Sequence, residues 1–364
     1  MSYRMILTAG GTGGHIMPGI ALGKYIQSKG CEVLWIGAEG GLESETVPKA
    51  GIEYRSCGMK RVSGGILPFI RRGFSALAAL PKTNSIIKAF KPDAVVGMGG
   101  YASVPTLTLS YFKGIPYFLL EQNAIPGSVT RRFAGGSKRV FAQFAEARDY
   151  LPKKTLFEHS GTPLRESFLR RFPGFLERNY AHGEVLLVLG GSQGSRALNK
   201  AMVECLPVFE LEFPGFRVIH LTGNDDFAEV SESYKGRAGH EVHAFCDNMD
   251  EIYARSTVAL TRAGAVTLAE LALAALPAII VPFPQAADNH QRANAEVYRR
   301  AGAARVIQQR ELSARKLVNE FKELCHDTEK RSSAALKMRD SAKPEATQTV
   351  GDSLISFLEK KAGK

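Results

Sequence analysis

Short apolar runs alternate with longer stretches of mixed polarity along most of the chain, as expected for buried parallel strands separated by amphipathic helices. In the first half, these runs predict strands over residues 5–9, 33–36, 94–96, 117–120 and 139–141. We expect the run at 139–141 to be the last strand of this half.

The same alternation starts again near residue 184. Apolar runs there predict strands over residues 184–189, 216–221, 242–245, 258–260 and 278–281. Asp247 is a suitable N-cap for a short helix that ends at Arg255. From Arg310 onward the chain is charged and has helical composition, and we expect its last helix to pack back on the first half.

Glycine loops follow three of the predicted strands. They begin at Gly10, Gly97 and Gly190, and the first and third of them open a predicted helix. This repeated order, in a chain of 364 residues, predicts an α/β protein with two Rossmann-like, doubly wound domains that face each other across a cleft. We place the first domain at residues 1–162, the second at 163–345 and the final helix at 346–364.

The loop at Gly10 does not match either common nucleotide motif. Ile16 occupies the sixth position of the dinucleotide-binding pattern, where glycine is required, and no P-loop motif occurs. His15 ends this loop and is a candidate base or phosphate contact. A histidine at the start of a helix more often has a structural hydrogen-bonding role, and the residues alone leave both possibilities open.

The stretch 261–294 combines several features of a ligand site. Gly264 interrupts a strand and leads into a helix predicted over 265–275, whose N-terminus suits a phosphate. Glu270 lies about one and a half turns into that helix, where it could accept hydrogen bonds from two adjacent sugar hydroxyls. A loop rich in amides follows the strand at 278–281. The alternative is an ordinary βαβ unit with a polar loop.

Composition and charge narrow the class of protein. The five cysteines are scattered and have no CxxC spacing, which favours a reducing cytosol over a zinc site or a disulfide framework. The longest apolar run, 268–283, contains Glu270 and Pro277 and indicates a helix and a strand, not a membrane span. A net charge of +11 favours an anionic partner.

Much of that charge lies in one segment. No Asp or Glu occurs from Tyr54 to Pro92, whereas eight Lys and Arg residues do. Large apolar residues alternate with arginines in this segment, which suits a surface that enters a bilayer interface. The alternative is a core helix with a basic solvent face. Nucleic acid ranks below lipid, because aromatic residues are few and no motif that reads DNA or RNA occurs. The candidate membrane residues are Ile66, Leu67, Phe69, Ile70, Arg71, Arg72 and Phe74.

Seven motifs together resemble those of the GT-B glycosyltransferases. They are GGTGGHIMPG at Gly10, GMGGY at Gly97, EQN at Glu121, GTPLR at Gly161, GGSQGS at Gly190, RAGAVTLAE at Arg262 and PFPQAADNHQRANA at Pro282. Most narrowly, they resemble the branch that adds N-acetylglucosamine to undecaprenyl-diphospho-N-acetylmuramoyl-pentapeptide (lipid I), giving lipid II in peptidoglycan synthesis. One departure is Thr162, where many members have asparagine.

The resemblance implies roles for individual residues. In the second domain, Ser192 and the amides near Val266 and Thr267 would hold the donor phosphates. Glu270 would bind the ribose. The backbone at Cys246 would contact uracil, with Arg165 nearby. Gln291 and Asn294 would bind the hydroxyls of the sugar. The implied donor residues are Thr12, Gly13, Gly14, Asn123, Arg165, Ser192, Cys246, Ala265, Val266, Thr267, Glu270, Gln291 and Asn294. The implied contacts to the acceptor diphosphate are Gly13, Gly14, His15, Gly99, Gly100 and Tyr101.

The implied partners are UDP-N-acetylglucosamine, lipid I and an anionic membrane surface, with no nucleic acid. The enzyme would be peripheral, on the cytoplasmic face of the bacterial cell membrane, and would act in cell wall synthesis and so in cell shape and division. We expect one direct displacement by the 4-hydroxyl of the acceptor, which inverts the anomeric carbon. No Asp-x-Asp motif occurs, so we expect no metal or other cofactor, and helix dipoles and backbone amides would stabilise the leaving group. His15 would be the catalytic base or a diphosphate ligand. The alternatives are a UDP-sugar epimerase of related fold and a non-catalytic protein that binds membrane surfaces.

Overall fold

The computed structural model describes residues 2–11, 13–60, 67–174, 184–191, 193–325 and 327–363, and for 67–74 it describes the backbone alone. The chain divides into two compact units, Met1–Arg165 with Lys343–Lys364, and Glu166–Ala342. The boundaries predicted from the sequence, 162 and 345, lie close to these.

The first unit is built on a parallel sheet with the strand order β3-β2-β1-β4-β5-β6-β7. Helices connect its strands, and the last helix of the chain returns to this unit. The strands and helices are β1 (Arg4–Thr8), α1 (Gly13–Ser28), β2 (Glu32–Glu39), α2 (Leu42–Lys49), β3 (Glu53–Lys60), α3 (Leu67–Phe90), β4 (Ala94–Gly97), α4 (Val104–Phe112), β5 (Tyr117–Glu121), α5 (Ser128–Phe133), β6 (Val140–Ala142), β7 (Phe157–Glu158) and α14 (Ala346–Lys361).

The second unit has a parallel sheet with the order β10-β9-β8-β11-β12-β13. Its elements repeat the alternation of the first unit. They are α6 (Glu166–Arg171), β8 (Val185–Leu189), α7 (Arg196–Glu212), β9 (Arg217–Leu221), α8 (Phe227–Ser233), β10 (Glu241–His243), α9 (Met249–Arg255), β11 (Val258–Thr261), α10 (Ala265–Leu273), β12 (Ala278–Ile280), α11 (His290–Arg300), β13 (Ala304–Val306), α12 (Ala314–Cys325) and α13 (Thr328–Asp340).

Each sheet reverses its strand order at one point, and these points position the candidate sites. In the first unit, the chain adds β2 and β3 on one side of β1 and then continues with β4 on the other side. In the second unit, β8 and β11 are neighbours in the same way. The connections after two such strands turn away from each other and leave a crevice at the carboxyl ends, where open α/β sheets bind ligands.

Both faces of the first sheet are buried at its central strands β1, β4 and β5, which explains why those strands are almost continuously apolar. Met5 and Leu7 of β1 join the core on one face, and Ile6 joins the core on the other. Val350 and Leu354 of α14 lie in the same core as Met5 and Leu7. The last helix therefore belongs to the packing of the first unit.

The prediction of two doubly wound α/β domains is confirmed, and four details of the sequence-based assignment are wrong. The edge strand β13 of the second sheet was not predicted. Residues 139–141 are not the last strand of the first half, because β7 follows at the sheet edge. The strand β3 was missed because its residues are largely exposed and polar. Asp247 is not the N-cap of α9; Asn248 is, and its side chain makes no capping bond.

Candidate active site

The two glycine loops of the first unit meet at the carboxyl ends of β1 and β4. A Cβ on Gly100 would lie 2.0 Å from the carbonyl oxygen of Gly10, and the φ of Gly100 is +75°. Only glycine fits a backbone this close and a dihedral in this region. The contact brings the loop that follows β1 and the loop that follows β4 together into one backbone surface.

His15 lies in the first turn of α1 and contacts both the second loop and the end of β5. Its Nδ1 is 3.0 Å from Oε1 of Gln122. A Cβ on Gly99 would lie 3.1 Å from Cε1 of the ring, so the ring lies against the backbone of that glycine. Gly99 has a φ of +89°, which again favours glycine.

The loop after β5 is held by a buried carboxylate. Glu121 is 2% exposed, and its Oε1 accepts a hydrogen bond of 2.9 Å from the Asn123 N–H. Its Oε2 accepts one of 3.0 Å from the Gly127 N–H. The Asn123 amide also donates to Oε1, at 3.3 Å. Glu121 therefore orders the segment that carries Gln122 and Asn123.

In the second unit, a glycine loop again packs backbone against backbone. A Cβ on Gly194 would lie 2.0 Å from the carbonyl oxygen of Thr222, and the φ of Gly194 is +74°. Next to this loop, α10 begins after Gly264 without a side-chain cap. Its first bond runs from the Leu268 N–H to the Gly264 carbonyl at 2.9 Å, so the amides of Val266 and Thr267 have no acceptor within the helix.

Arg262 connects the loops after β8, β11 and β12. Its Nε donates to Oγ of Ser195 at 3.0 Å, and one terminal nitrogen donates to the Val281 carbonyl at 3.1 Å. The other donates to Oε1 of Gln309 at 2.6 Å. Burial lowers the pKa of Arg262 to about 10. Within the described part of the chain, no carboxylate forms an ion pair with this guanidinium.

Two amides of α11 bind the loop at Ala263. The Ala263 and Phe283 N–H groups donate to Oε1 of Gln291 at 3.2 and 3.0 Å. Asn294 is fully buried and donates from Nδ2 to the Ala263 carbonyl at 3.2 Å. Both side chains therefore support the turn before α10.

Glu270 lies on the sixth position of α10 and is 8% exposed. Its Oε2 accepts a hydrogen bond of 3.3 Å from the Tyr253 hydroxyl. Tyr253 is itself fully buried and packs edge-on against Phe168, with ring centroids 5.2 Å apart. The carboxylate is therefore held in place by a side chain from α9.

The described residues contain neither a cluster suited to a metal ion nor a helix suited to span a membrane. Within the ranges given above, no three His, Cys, Asp or Glu side chains group in a way that could hold a metal ion. None of the helices in those ranges is long and apolar enough to cross a bilayer.

The sequence matches two domain families along most of its length. Residues 5–142 match the N-terminal domain of glycosyltransferase family 28, and residues 185–350 match the C-terminal domain of that family. A relative from Myxococcus xanthus is 34% identical over 360 residues, which are 98% of this chain and 93% of the relative. One from Geobacter metallireducens is 35% identical over 363 residues, covering 98% and 99%.

The chain belongs to glycosyltransferase family 28. Both relatives are named UDP-N-acetylglucosamine–N-acetylmuramyl-(pentapeptide) pyrophosphoryl-undecaprenol N-acetylglucosamine transferase. The resemblance that the seven motifs indicated is thereby confirmed.

Solved structures agree with membership of family 28. MurG from Acinetobacter baumannii superposes with a TM-score of 0.79 and 28% identity, covering 97% of this chain and 99% of that chain. UDP-GlcNAc 2-epimerase from Neisseria meningitidis gives a TM-score of 0.67 at 12% identity, covering 98% and 100%. The second likeness concerns the fold alone.

Some of the residues predicted for the family 28 site lie at the two points of strand reversal. His15, Gly99 and Gly100 lie together in the first unit. In the second unit, Gln291 and Asn294 bond to the turn before α10, and Glu270 lies on that helix. Their predicted ligand contacts, and those of Gly13, Gly14, Tyr101, Asn123, Arg165, Cys246 and Ala265, stay predictions. Thr12, Ser192 and Ile66 lie outside the described residues, as do the side chains of Leu67, Phe69, Ile70, Arg71, Arg72 and Phe74.

Sequence reasoning missed the side chains that hold the site residues. No separate role was predicted for three of these side chains, which are Gln122, Tyr253 and Arg262. Each of them bonds to a predicted site residue or loop. For Gln122 a signal existed, since it directly follows a strand beside the switch point. Tyr253 lies on a different helix from Glu270, and no local pattern connects the two.

Proposed function

We propose that this chain transfers N-acetylglucosamine from UDP-N-acetylglucosamine to the 4-hydroxyl of the N-acetylmuramoyl unit of lipid I, with inversion, giving lipid II and UDP. Membership of family 28 and the names of its full-length relatives support the reaction. The observation that carries the mechanism is the side chain of His15 at the strand reversal of the first unit, held by Gln122.

The second unit binds the nucleotide sugar. The amides of Val266 and Thr267 at the start of α10 point their N–H groups towards the diphosphate, where the helix dipole favours negative charge. Glu270 accepts hydrogen bonds from the ribose hydroxyls while Tyr253 holds it in position. Gln291 donates from its amide nitrogen to the sugar, because its oxygen already accepts from two backbone N–H groups.

The departing UDP needs positive charge, and Arg262 supplies part of it. Its guanidinium has no carboxylate partner among the described residues, and it bonds to loops that flank the start of α10. A diphosphate bound there provides the missing counter-charge. Together with the helix dipole, this stabilises the leaving group in the role that an Asp-x-Asp-bound metal has in other glycosyltransferases.

The first unit receives the acceptor. The two packed glycine loops expose backbone at the ends of β1 and β4, which suits a diphosphate. His15 takes the proton of the attacking hydroxyl as the new glycosidic bond forms and the bond to UDP breaks. This single displacement accounts for inversion.

A lipid-linked acceptor requires a membrane-binding surface, and exposed apolar side chains of the first unit provide one. Leu77 on α3 is 63% exposed, and Tyr111 and Phe112 at the end of α4 are 59% and 79% exposed. The helices α3 and α4 pack against each other. From Tyr54 to Leu120 the only acidic residue is Asp93, which accepts a hydrogen bond from the Arg4 N–H.

The surrounding charge suits an anionic bilayer. Lys82, Lys88 and Lys113 are exposed on or next to the same two helices. Basic residues near an anionic surface contribute about 1 kcal/mol each, and exposed aromatic residues add apolar contact. We therefore place the protein peripherally on the cytoplasmic face of the cell membrane. Residues 66–74 belong to this proposal, although their side chains are outside the described set.

Release of UDP from UDP-N-acetylglucosamine, measured with and without lipid I, tests the proposal. We expect release that depends on lipid I and that matches lipid II formed in equal amount. Release or epimerisation without an acceptor would favour a UDP-sugar epimerase. No turnover, together with vesicle binding, would favour a non-catalytic membrane protein.

A further inference from the structure

We propose that Gln122 is a positioning residue that fixes the tautomer of His15, so that His15 acts as the base and not as a hydrogen-bond donor to the diphosphate. The inference rests on the proposed function and deepens it. It is drawn from the two hydrogen bonds of the Gln122 side chain and from the contact between His15 and Gly99.

The orientation of the Gln122 amide is set by the strand it follows. The side chain is 2% exposed, and its Nε2 donates to the Leu120 carbonyl at 3.3 Å. A carbonyl can only accept, so the nitrogen of the amide faces Leu120 and the oxygen faces away from it. That oxygen, Oε1, lies 3.0 Å from Nδ1 of His15.

This orientation determines which ring nitrogen of His15 carries hydrogen. An amide oxygen accepts but does not donate, so Nδ1 of His15 must bear the proton. In the neutral ring, Nε2 then has a free lone pair. A nitrogen in this state can take a proton from a hydroxyl, but it cannot donate a hydrogen bond to a phosphate oxygen.

The ring is also held from a second side. A Cβ on Gly99 would lie 3.1 Å from Cε1, 3.3 Å from Nδ1 and 3.7 Å from Nε2. The backbone of the loop after β4 thus contacts the ring edge that carries these atoms. With Gln122 on Nδ1, the ring is fixed by two elements besides its own helix.

The side chain that His15 contacts carries no charge. Its partner is a neutral amide, and within the described ranges no ion pair joins His15 to a carboxylate. Two acids lie on neighbouring elements. Glu121 accepts from Asn123 and Gly127. Glu43 lies against Gly10; its Oε1 accepts from the Ala38 N–H, and its Oε2 is buried without a hydrogen-bond partner among the described residues. Tyr101 is the other titratable group of the adjoining loop.

In the transfer step, one bond forms as one breaks, and the released proton has an acceptor. The acceptor hydroxyl oxygen bonds to the anomeric carbon, and the carbon–oxygen bond to UDP breaks with its electron pair leaving on UDP. The hydroxyl proton moves to Nε2 of His15. The resulting imidazolium keeps its Nδ1 hydrogen bond to Gln122, so no partner has to move during the step.

Two variants test the inference against a matched control. Gln122→Met keeps the length of the side chain and removes the amide. Gln122→Glu keeps an acceptor for Nδ1 but adds a negative charge that favours imidazolium. The matched control is Gln143→Met. It removes another buried glutamine, which is 7% exposed and directly follows β6 in the same sheet.

We expect Gln122→Met to lower kcat at least tenfold and to leave the KM for UDP-N-acetylglucosamine within about twofold. Gln122→Glu should keep activity at alkaline pH, with the acidic limb of its kcat profile moved about one pH unit upward. Gln143→Met should match the wild type in both respects. A wild-type kcat for Gln122→Met, or an unmoved acidic limb for Gln122→Glu, would overturn the assignment.

Nitrogen-15 NMR of labelled histidine gives a readout that needs no turnover. The His15 signals are those lost in His15→Gln. In the wild type they should show Nδ1 protonated and Nε2 unprotonated. In Gln122→Met this preference for one tautomer should be lost. A wild-type spectrum with Nε2 protonated would refute the inference even if transfer is active. An inactive wild type with Nδ1 protonated would instead refute the proposed function alone.

Discussion

Glu270 shows how a single side chain on one helix can be held in position by a side chain from another helix. Its Oε2 accepts from Tyr253, whose ring is fixed in turn against Phe168. A carboxylate has about four lone-pair sites on its two oxygens, so it can accept from more than one donor. The ribose hydroxyls of the nucleotide are the donors that the proposed reaction supplies.

We predict that Glu270→Gln weakens binding of the donor much more than it destabilises the fold. Loss of hydrogen bonds to a charged group costs about 1.5–3 kcal/mol, which is roughly a ten- to hundredfold rise in Kd. Tyr253→Phe keeps the ring and should give a smaller loss, because it frees the carboxylate without removing it. Isothermal titration with UDP-N-acetylglucosamine measures both. An unchanged Kd in folded Glu270→Gln would remove Glu270 from the site.

His220 of β9 is a buried histidine with both ring nitrogens bonded. Its Nε2 is 3.0 Å from Oδ1 of Asn199, and its Nδ1 is 3.0 Å from the Tyr234 hydroxyl. The Asn199 amide nitrogen donates to the Thr222 carbonyl at 2.9 Å, so its oxygen faces His220. Nε2 therefore donates and Nδ1 accepts. Burial lowers the pKa of His220 to about 3.

We predict that this histidine makes stability fall in mild acid. Its pKa in the folded state lies below the unfolded value of about 6.5, so only the unfolded chain gains a proton between pH 6.5 and 3. The contribution is complete above pH 6.5 and is lost at up to about 1.4 kcal/mol per pH unit below it. Urea unfolding at pH 7.5 and pH 5.5 measures the slope. Equal slopes for the wild type and His220→Gln would contradict this account.

At the scale of elements, the helices α3 and α4 present apolar side chains to solvent while their other residues pack on the sheet. Ile86 and Leu107 are buried in the core of the first unit, whereas Leu77 and Phe112 remain exposed. A pair of packed helices with large exposed side chains and lysines beside them is suited to a lipid surface.

We predict that the wild type binds anionic vesicles in two separable ways. Phe112→Ser with Leu77→Ser should reduce the part of the binding that survives high salt. Lys82→Glu with Lys88→Glu should reduce the salt-sensitive part, because such charges act within a Debye length of about 8 Å. Vesicle co-sedimentation measures both, and Leu211→Ser, at an exposed leucine of the second unit, is the matched control. Equal binding by all variants would place the membrane surface elsewhere.

At the scale of the whole molecule, the sequence predicted those features that arise from local pattern. Apolar runs such as 94–96 and 117–120 mark strands because both faces of the sheet are buried, and glycines such as Gly10 and Gly190 mark loops that need close backbone contact. These two signals together predicted glycine loops at the carboxyl ends of strands, and the observed strand order brings the sites to the strand reversals.

The features that were missed depend on contacts between distant segments. The edge strand β3 has a half-exposed, polar pattern that resembles a loop. The partnership of His15 with Gln122 joins residues 107 positions apart, and that of Glu270 with Tyr253 joins two helices. Neither pairing follows from propensity or periodicity, because each is created by the order in which strands assemble into the sheet.

In the proposed reaction, the second unit binds the nucleotide sugar, the first unit binds the acceptor, and His15 is the base. The most direct test of this reaction follows labelled sugar from UDP-N-acetylglucosamine into organic-soluble lipid, in the presence of lipid I and EDTA. We predict labelled, β-linked lipid from the wild type and at least about a hundredfold slower transfer by His15→Ala, with its donor Kd nearly unchanged. Label that stays on the nucleotide, transfer that requires added Mg²⁺ or Mn²⁺, or full activity of His15→Ala would contradict the account.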